Sequence, residues 1–244
     1  MKRATARADR AYVLRTSPYG ESDVVVTLFG EHGGVVPALA RRARTQSPRK
    51  NALVLEPFHT LAVELAPGTG ELSSLRTSVI DVPRAALLDD ARRLDVAGLA
   101  TRWVRTLCPP HTAEPEVFVG LEALLDRLAQ GTKADGALAT FGLQLLDALG
   151  YGLELSACAR CSRPRPRGKS AYLTASGGGV VCESCRASTS ASDALLAGPL
   201  LDAIGEDPTR ALDATDEQAT ILLRVVHDAV DLRARAVGSR TGAR

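Results

Sequence analysis

Short apolar stretches alternate with turn residues over the first third of the chain. The apolar stretches are residues 11–16, 24–29, 35–40, 53–58 running into 61–65, and 72–80, and β-branched residues are frequent in them. Glycine and proline, which favour tight turns, separate these stretches at 17–20, 32–34 and 67–70. About five short strands with turn signals at these intervals predict a small closed β-barrel.

The hydrophobic period changes to that of helices after Pro83. Apolar residues recur every three or four positions in the segments 94–108, 117–128, 138–149 and 215–232, and a further short helix is predicted from 192–193 through Leu201. Pro109 and Pro110 end the first helix, and Thr215-Asp216-Glu217-Gln218 matches the capping box that begins the last one. The pattern therefore predicts an α+β protein in which a barrel precedes a helical region.

Two Cys-x-x-Cys pairs interrupt the helical region. Cys158 and Cys161 form the first pair, and Cys182 and Cys185 follow after twenty intervening residues. The pairs supply four thiolates for one tetrahedral ion, and zinc suits four sulfur ligands at about 2.3 Å. Four cysteines leave no coordination position for a substrate water, so the spacing predicts one structural zinc ion in a zinc ribbon. Paired disulfides, or a redox-active pair beside unreactive thiols, are the alternatives.

The expected compartment follows from the absence of export signals in the sequence. No apolar run among the 244 residues reaches the length of a membrane span, and the basic residues 1–7 are not followed by the apolar core of a secretory signal. We therefore expect a cytoplasmic protein whose thiols stay reduced, which favours a metal over disulfides. The fifth cysteine, Cys108, lies at a predicted helix end, where we expect a buried, unreactive thiol.

The formal net charge of +2 conceals a segregation of charge along the chain. Residues 1–80 carry eleven basic and seven acidic residues, and residues 158–190 carry six basic and one acidic. Residues 81–157 and 191–244 have net charges of −4 and −3. Two basic segments thus alternate with two acidic ones, which favours a polyanion as the partner of the basic segments. Solvated faces without a ligand are the alternative.

Several motifs follow one another in a specific order. Residues 15–23 read Arg-Thr-Ser-Pro-Tyr-Gly-Glu-Ser-Asp, and Thr27-Leu28-Phe29 and His32-Gly33 come after them. Leu55-Glu56-Pro57-Phe58 is next, and residues 145–151, Leu-Leu-Asp-Ala-Leu-Gly-Tyr, run through Leu155 into the first cysteine pair. In this order the motifs resemble the RecO family of bacterial recombination-mediator and DNA-repair proteins. The resemblance covers residues 11–232, nearly the whole chain.

The resemblance implies an OB-fold in residues 1–82 that binds single- and double-stranded DNA. It implies a helical domain in residues 83–240, with the zinc ribbon inserted at 156–187. It also implies a nucleoid-associated mediator that anneals complementary strands, including strands coated by the single-strand-binding protein (SSB). The implied partners are RecR and the acidic carboxyl-terminal tail of SSB, and the implied outcome is the replacement of SSB by RecA.

Basic side chains around the third predicted strand are the candidate DNA contacts. The candidates are Arg15, Arg41, Arg42, Arg44, Arg49 and Lys50, and the last five fall within ten residues. Guanidinium groups suit phosphate oxygens, and affinity from such contacts falls steeply with salt. A solvated loop with incidental charge is the alternative.

Aromatic residues are scarce in the predicted barrel. Tyr12, Tyr19, Phe29 and Phe58 are the four that it contains, and we expect both phenylalanines in the core. OB-folds that grip single strands stack bases on such rings. The composition therefore predicts a barrel that holds the DNA backbone and leaves the bases free to pair, as strand annealing requires.

Signatures of enzymes are weak in this sequence. Neither cysteine pair follows a proline, and none of the four histidines has the glutamate that zinc deaminases place two residues later. Gly177-Gly178-Gly179 lacks the lysine of a phosphate-binding loop. We therefore expect a non-enzymatic DNA mediator. A zinc-ribbon transcription or RNA-binding factor is the second hypothesis, and a scaffold between proteins is the third.

Overall fold

The computed structural model describes residues 6–44, 53–68, 70, 72–186 and 194–241. The chain forms two compact units, residues 1–129 and residues 130–244. The described part of the first unit contains a barrel and two α-helices, and that of the second contains three α-helices and a three-stranded sheet. The division into domains at residue 82, with a ribbon at 156–187, stays a prediction.

Five strands close into a barrel in the first unit. They are β1 (Arg7–Tyr19), β2 (Asp23–Gly30), β3 (Gly34–Ala40), β4 (Thr60–Ala66) and β5 (Ser73–Val82). Their order is β1-β2-β3-β5-β4, and pairing of β4 with β1 closes the ring. Neighbouring strands are antiparallel except β3 and β5, which meet in a short parallel contact. The predicted barrel and the α+β class are confirmed.

Alternate residues of the strands fill the interior of the barrel. The buried cluster consists of Ala11, Val13, Val26, Leu28, Ala38, Ala40, Leu61, Val63 and Leu75. Successive side chains of a strand project to opposite faces, so the residues between these core positions lie on the outer face. Thr27 on β2 and Pro37 on β3 are two such residues, and both remain partly exposed.

One predicted strand segment is irregular in the structure. Residues 53–58 precede β4 without forming a strand, because Pro57 lacks a backbone donor and Phe58 has a φ of 70°, far from extended values. Ser78 holds the segment instead: the Val54 N–H donates to its carbonyl at 3.0 Å, and its hydroxyl donates to the Val54 carbonyl at 2.5 Å. Phe29 is buried as predicted, but Phe58 is only partly buried, so its placement in the core is wrong.

Helices α1 (Ala91–Leu107) and α2 (Pro115–Ala129) complete the first unit. Phe118 of α2 packs between Tyr12 and Phe29 of the barrel, with ring centroids 5.1 and 5.7 Å away. Arg84, whose side chain is buried, donates to the Asp126 carboxylate of α2 at 2.6 Å. A buried guanidinium is stable only with such partners, so this ion pair and the aromatic cluster fix α2 on the barrel.

Cys108 directly follows α1 and is buried, as predicted. Burial raises the pKa of its thiol to about 12, because the thiolate would lose its hydration. A thiol with so high a pKa is unreactive at neutral pH, since the thiolate is the nucleophilic form.

The second unit combines helices with a small sheet. Its helices are α3 (Ala134–Ala148), α4 (Gly198–Glu206) and α5 (Asp216–Thr241), and its strands are β6 (Ala171–Thr174), β7 (Gly179–Val181) and β8 (Ala194–Leu196) in the order β7-β6-β8. Among the residues that the structure describes, none of the helices is long and apolar enough to cross a membrane.

The helix predicted from 192–193 through Leu201 is partly wrong. Residues 192–193 lie outside the described residues, and Ala194–Leu196 is a strand that pairs with β6. Ala194 and Leu196 are buried and Leu195 is exposed, which is the alternation of a strand. The helix begins only at Gly198, with Pro199 in its first turn, where a missing N–H costs no hydrogen bond.

Candidate metal centre and nucleic-acid interface

The two cysteine pairs fold into turns of the same kind. In the first turn, the Ser162 N–H donates to the Cys158 carbonyl at 2.8 Å. In the second, the Arg186 N–H donates to the Cys182 carbonyl at 3.0 Å. Each chain segment therefore reverses within its Cys-x-x-Cys pair, which lets the two sulfurs of a pair approach one ion.

The four sulfurs converge on one point. The Sγ atoms of Cys158, Cys161, Cys182 and Cys185 all lie within 4.8 Å of one another, and those of Cys161 and Cys182 are 3.8 Å apart. A tetrahedral site with metal–sulfur distances of about 2.3 Å has sulfurs about 3.8 Å apart. The structure therefore brings the four predicted ligands together in a cluster of the size that a metal ion needs.

Electrostatics within the cluster favour a cation. The Cys182 N–H donates to Cys158 Sγ at 3.4 Å, and with the N–H groups of Cys161 and Arg160 it lowers the pKa of Cys158 to about 6. The sulfurs of Cys161 and Cys182 act oppositely on Cys185 and raise the pKa of its thiol to about 12. Neighbouring thiolates repel one another, so a bound cation would stabilise the four sulfurs in their deprotonated form.

Backbone hydrogen bonds hold the first cysteine pair against β7. The Val180 N–H donates to the Glu154 carbonyl at 2.7 Å, and the Ala159 N–H donates to the Val180 carbonyl at 2.9 Å. Gly179 permits this approach, because a Cβ atom there would lie 2.2 Å from the Glu154 carbonyl oxygen. The glycine run ahead of the second pair thus brings the two cysteine-bearing segments close to each other.

Several basic residues of the ribbon are engaged within the same unit. Arg165 has a buried side chain and donates to the Asp202 carboxylate of α4 at 2.5 Å. The Gly168 N–H and the Arg165 guanidinium lower the pKa of Asp202, because both stabilise its ionised form. Arg167 pairs with Glu206, also on α4. Arg165 would have to break a buried ion pair to reach a phosphate, so its charge serves the packing of α4 on the ribbon. The pair of Arg167 is exposed to solvent.

The described DNA-contact candidates are all exposed on the barrel. Arg41, Arg42 and Arg44 lie in the turn that directly follows β3. Arg15 lies on β1, opposite Thr27 of β2. The structure thus gathers three of the predicted residues in one turn, which we call the basic turn (residues 41–44), and places the fourth elsewhere on the barrel surface. Arg49 and Lys50 lie outside the described residues.

Asp23 shapes the basic turn. Its Oδ1 accepts the Arg42 N–H at 2.7 Å, and the carbonyl of the preceding Ser22 accepts the Arg44 N–H at 3.0 Å. The Arg42 N–H and the Ser22 hydroxyl lower the pKa of Asp23, so it is ionised at neutral pH. Sequence reasoning missed this residue, although it ends the motif at 15–23. The available signal was an acidic side chain at the start of a predicted strand, in a segment whose net charge is positive.

A substitution of Asp23 separates its two effects. Asp23→Ala removes the acceptor for Arg42, and we expect the loosened turn to lower DNA affinity about fivefold, although the variant also removes a negative charge from a basic surface. Asp23→Asn keeps an oxygen acceptor and removes only the charge, so we expect affinity equal to or above that of the wild type. Fluorescence anisotropy with a labelled oligonucleotide measures both. Tighter DNA binding by Asp23→Ala would show that the main effect of Asp23 is to repel the phosphates of DNA, and not to shape the turn.

Aromatic rings contribute little to the outer face of the barrel. Tyr12 is fully buried, its hydroxyl accepts the Thr60 hydroxyl at 3.0 Å, and burial raises its pKa to about 12. Phe29 is fully buried as well. Of the four aromatic residues in the barrel region, Tyr19 is the most exposed, at 55%. A surface with arginines and few rings suits contacts to the sugar-phosphate backbone rather than stacking of successive bases.

The fold and the two sites define a mixed α+β protein with an OB-like barrel, a basic turn on that barrel and a candidate four-cysteine metal centre. Comparison of the whole sequence with protein families narrows this class. Residues 3–82 match the family model described as "Recombination protein O N terminal", and residues 88–235 match "Recombination protein O C terminal". The chain belongs to the RecO family, so the resemblance of the motifs is confirmed.

Individual relatives are similar over most of their length. The chain is 38% identical over 189 residues to the DNA repair protein RecO of Anaeromyxobacter sp. (strain K), covering 77% of this chain and 74% of that protein. It is 38% identical over 175 residues to the one from Geobacter sulfurreducens, covering 72% and 71%. The one from Pelobacter propionicus is 36% identical over 177 residues, covering 72% and 70%. Membership supports a role in DNA repair and recombination, with DNA as the general partner.

Proposed function

We propose that this chain is a recombination mediator that binds single- and double-stranded DNA through its barrel and anneals complementary strands. One observation carries the proposal: an exposed turn with three arginines is held in shape by Asp23, through a 2.7 Å hydrogen bond to the Arg42 N–H. A turn fixed in this way presents its guanidinium groups at lower entropic cost than a free loop would. Preorganised cations on a barrel surface are what recognition of a phosphate backbone requires.

The mode of binding follows from the scarcity of exposed rings. Phosphate contacts position a strand without covering the hydrogen-bonding edges of its bases. When several consecutive bases are stacked on protein, they cannot easily pair with a complementary strand. Bases of a strand that is held only through its phosphates can pair. Phosphate contacts therefore suit a protein that presents single strands to their complements. The proposed contacts are the basic turn and Arg15, together with Arg49 and Lys50, which lie outside the described residues.

The partners belong to the same proposal, and the family supports them. In this scheme the mediator acts together with RecR at the nucleoid, in the cytoplasm, and engages the acidic carboxyl-terminal tail of SSB. The outcome is the replacement of SSB by RecA on single-stranded DNA. Binding of a tail peptide and of purified RecR, each measured by titration against the full chain, tests these partners one by one.

Zinc is the ion that we propose for the cysteine centre. Sulfur ligands in a tetrahedral cluster suit this borderline-soft cation, and Cys158, Cys161, Cys182 and Cys185 would hold one ion without an open position. With all positions taken by thiolates, the ion stabilises the fold rather than activating a water. A mediator without catalytic activity is consistent with such a closed site.

Salt dependence tests the proposed contacts. If four to six basic residues each neutralise a phosphate, the logarithm of the affinity for a single strand should fall with the logarithm of salt concentration at a slope of about −3 to −4. Anisotropy titrations between about 50 and 300 mM salt measure the slope. Affinity that hardly changes with salt concentration would contradict phosphate binding by the barrel.

Annealing of labelled complementary oligonucleotides in the presence of SSB tests the activity itself. We expect annealing without sequence preference, at a rate well above that of the SSB-coated strands alone. Annealing confined to one sequence, or binding of RNA with exclusion of DNA, would instead support a zinc-ribbon transcription or RNA-binding factor. Absence of any nucleic-acid binding at low salt would support a scaffold between proteins.

A further inference from the structure

A row of side chains crosses three strands on the outer face of the barrel. Arg15 of β1 is paired with Thr27 of β2, and Thr27 is paired with Pro37 of β3. Side chains of directly opposed residues project to the same face of a sheet. Arg15 is exposed, and Thr27 and Pro37 are partly exposed, as this placement requires. The row therefore runs from a cation on β1 to an apolar ring on β3.

Pro37 borders a groove of about 780 Å³. Among the described residues, β5 pairs with β3 at Ala38 and Leu39 alone, so the preceding part of β3 is not paired with β5. Flat or apolar side chains line the groove, among them Pro67, Leu72 and Pro110, and His111 is on its wall. Among the described residues that line it, none is an arginine, a lysine or an acidic residue.

The loop between α1 and α2 fixes His111 at this groove. The His111 N–H donates to the Val35 carbonyl at 3.0 Å, and Pro110 forms a β-bridge with the same residue. Close approach of the loop requires Gly34, because a Cβ atom there would lie 1.9 Å from the Thr112 carbonyl oxygen. His111 has a φ of 57°, a conformation that non-glycine residues rarely adopt and that clusters at functional sites. Its side chain is nevertheless exposed.

We propose that the groove seats one unpaired base of a DNA strand whose phosphate Arg15 contacts, and that the imidazole of His111 stacks on that base. The proposal rests on the proposed DNA binding by the barrel. The described residues that line the groove carry no arginine, lysine or carboxylate and include flat side chains. Such a lining suits the face of a base better than a phosphate, and the row supplies the phosphate contact at its other end. A single seated base leaves its neighbours free to pair. A duplex offers no unpaired base, so the groove contributes to single-strand binding alone.

Two substitutions of His111 test the stacking. His111→Gly removes the ring and keeps a residue that tolerates positive φ. We expect its affinity for oligothymidine to fall about fivefold or more. Its affinity for an abasic oligomer of the same length, and for a duplex, should match the wild type. His111→Phe restores a flat ring without a charge or a hydrogen-bond donor, so we expect it to recover oligothymidine binding. Anisotropy titrations of the full-length variants at one salt concentration give all three affinities.

The three probes separate the possible outcomes. An equal loss with oligothymidine, the abasic oligomer and the duplex would overturn the proposal, because a stacked base cannot account for it. Unchanged oligothymidine binding by His111→Gly would overturn it as well. In both cases binding and annealing by the wild type would still stand. Failure of the wild type to bind any of the three probes would contradict the proposed function, and also the proposal that the groove seats a base. His32→Ala, on the turn between β2 and β3, is the matched control and should bind like the wild type.

Discussion

A Cys158→Ser chain is expected to bind no metal and to melt at a markedly lower temperature than the wild type. Cys158 is the most buried of the four cysteines, and its sulfur accepts the Cys182 N–H at 3.4 Å, so the substitution removes a ligand and weakens the contact between the two pairs. A structural four-thiolate site contributes its binding free energy directly to folding. We expect a loss on the order of 3 kcal/mol, and a melting temperature lower by on the order of 10 °C.

Metal analysis and thermal unfolding of the same preparations measure this effect. The wild type should contain one zinc ion per chain, and a chelator should lower its melting temperature toward that of Cys158→Ser. Cys108→Ala is the matched control, because Cys108 is buried in the first unit and is not one of the four clustered cysteines. It should keep its zinc. Full zinc content and unchanged melting in Cys158→Ser would contradict the assignment of the site.

The features that sequence reasoning recovers are those encoded within a few residues. A Cys-x-x-Cys pair brings two sulfurs together through a local turn, so spacing alone predicts the four ligands that the structure gathers within 4.8 Å. The barrel strands are likewise encoded locally, by β-branched stretches between turn residues. The stripe of Val117, Leu121 and Leu124 predicts a helix for the same reason, and all three are buried in α2.

The features that it misses depend on contacts between distant parts of the chain. Asp23 and Arg42 are nineteen residues apart and meet only because β2 and β3 are paired. The strand Ala194–Leu196 is too short for its period to be distinguished from a helical one, and β6 decides its conformation. Phe58 is only partly buried because its backbone is left-handed, with a φ of 70°, and the pattern of apolar residues does not predict such a conformation. Propensity thus predicts the elements, and tertiary contacts determine how the site is shaped.

Removing the charge of the basic turn is expected to have the largest effect on DNA binding. The variant Arg41→Gln/Arg42→Gln/Arg44→Gln keeps long polar side chains and leaves the Asp23 contact to the Arg42 N–H in place. Losing three phosphate contacts should weaken binding to single and double strands alike, on the order of 30- to 100-fold at moderate salt. The salt slope for a single strand should become shallower by about 2. Annealing should slow in parallel.

A charge-matched control distinguishes these contacts from a change of net charge. Arg102, Arg105 and Arg127 lie on α1 and α2 in the same unit, and their triple glutamine variant removes the same charge. Long-range attraction alone would weaken DNA binding equally in both triple variants, because it depends on total charge and is screened by salt. If the contacts are direct, only the triple variant of the basic turn should show a shallower salt dependence of DNA binding. An equal loss of DNA affinity in both triple variants would contradict direct phosphate contacts by the basic turn, because total charge alone would then account for both losses.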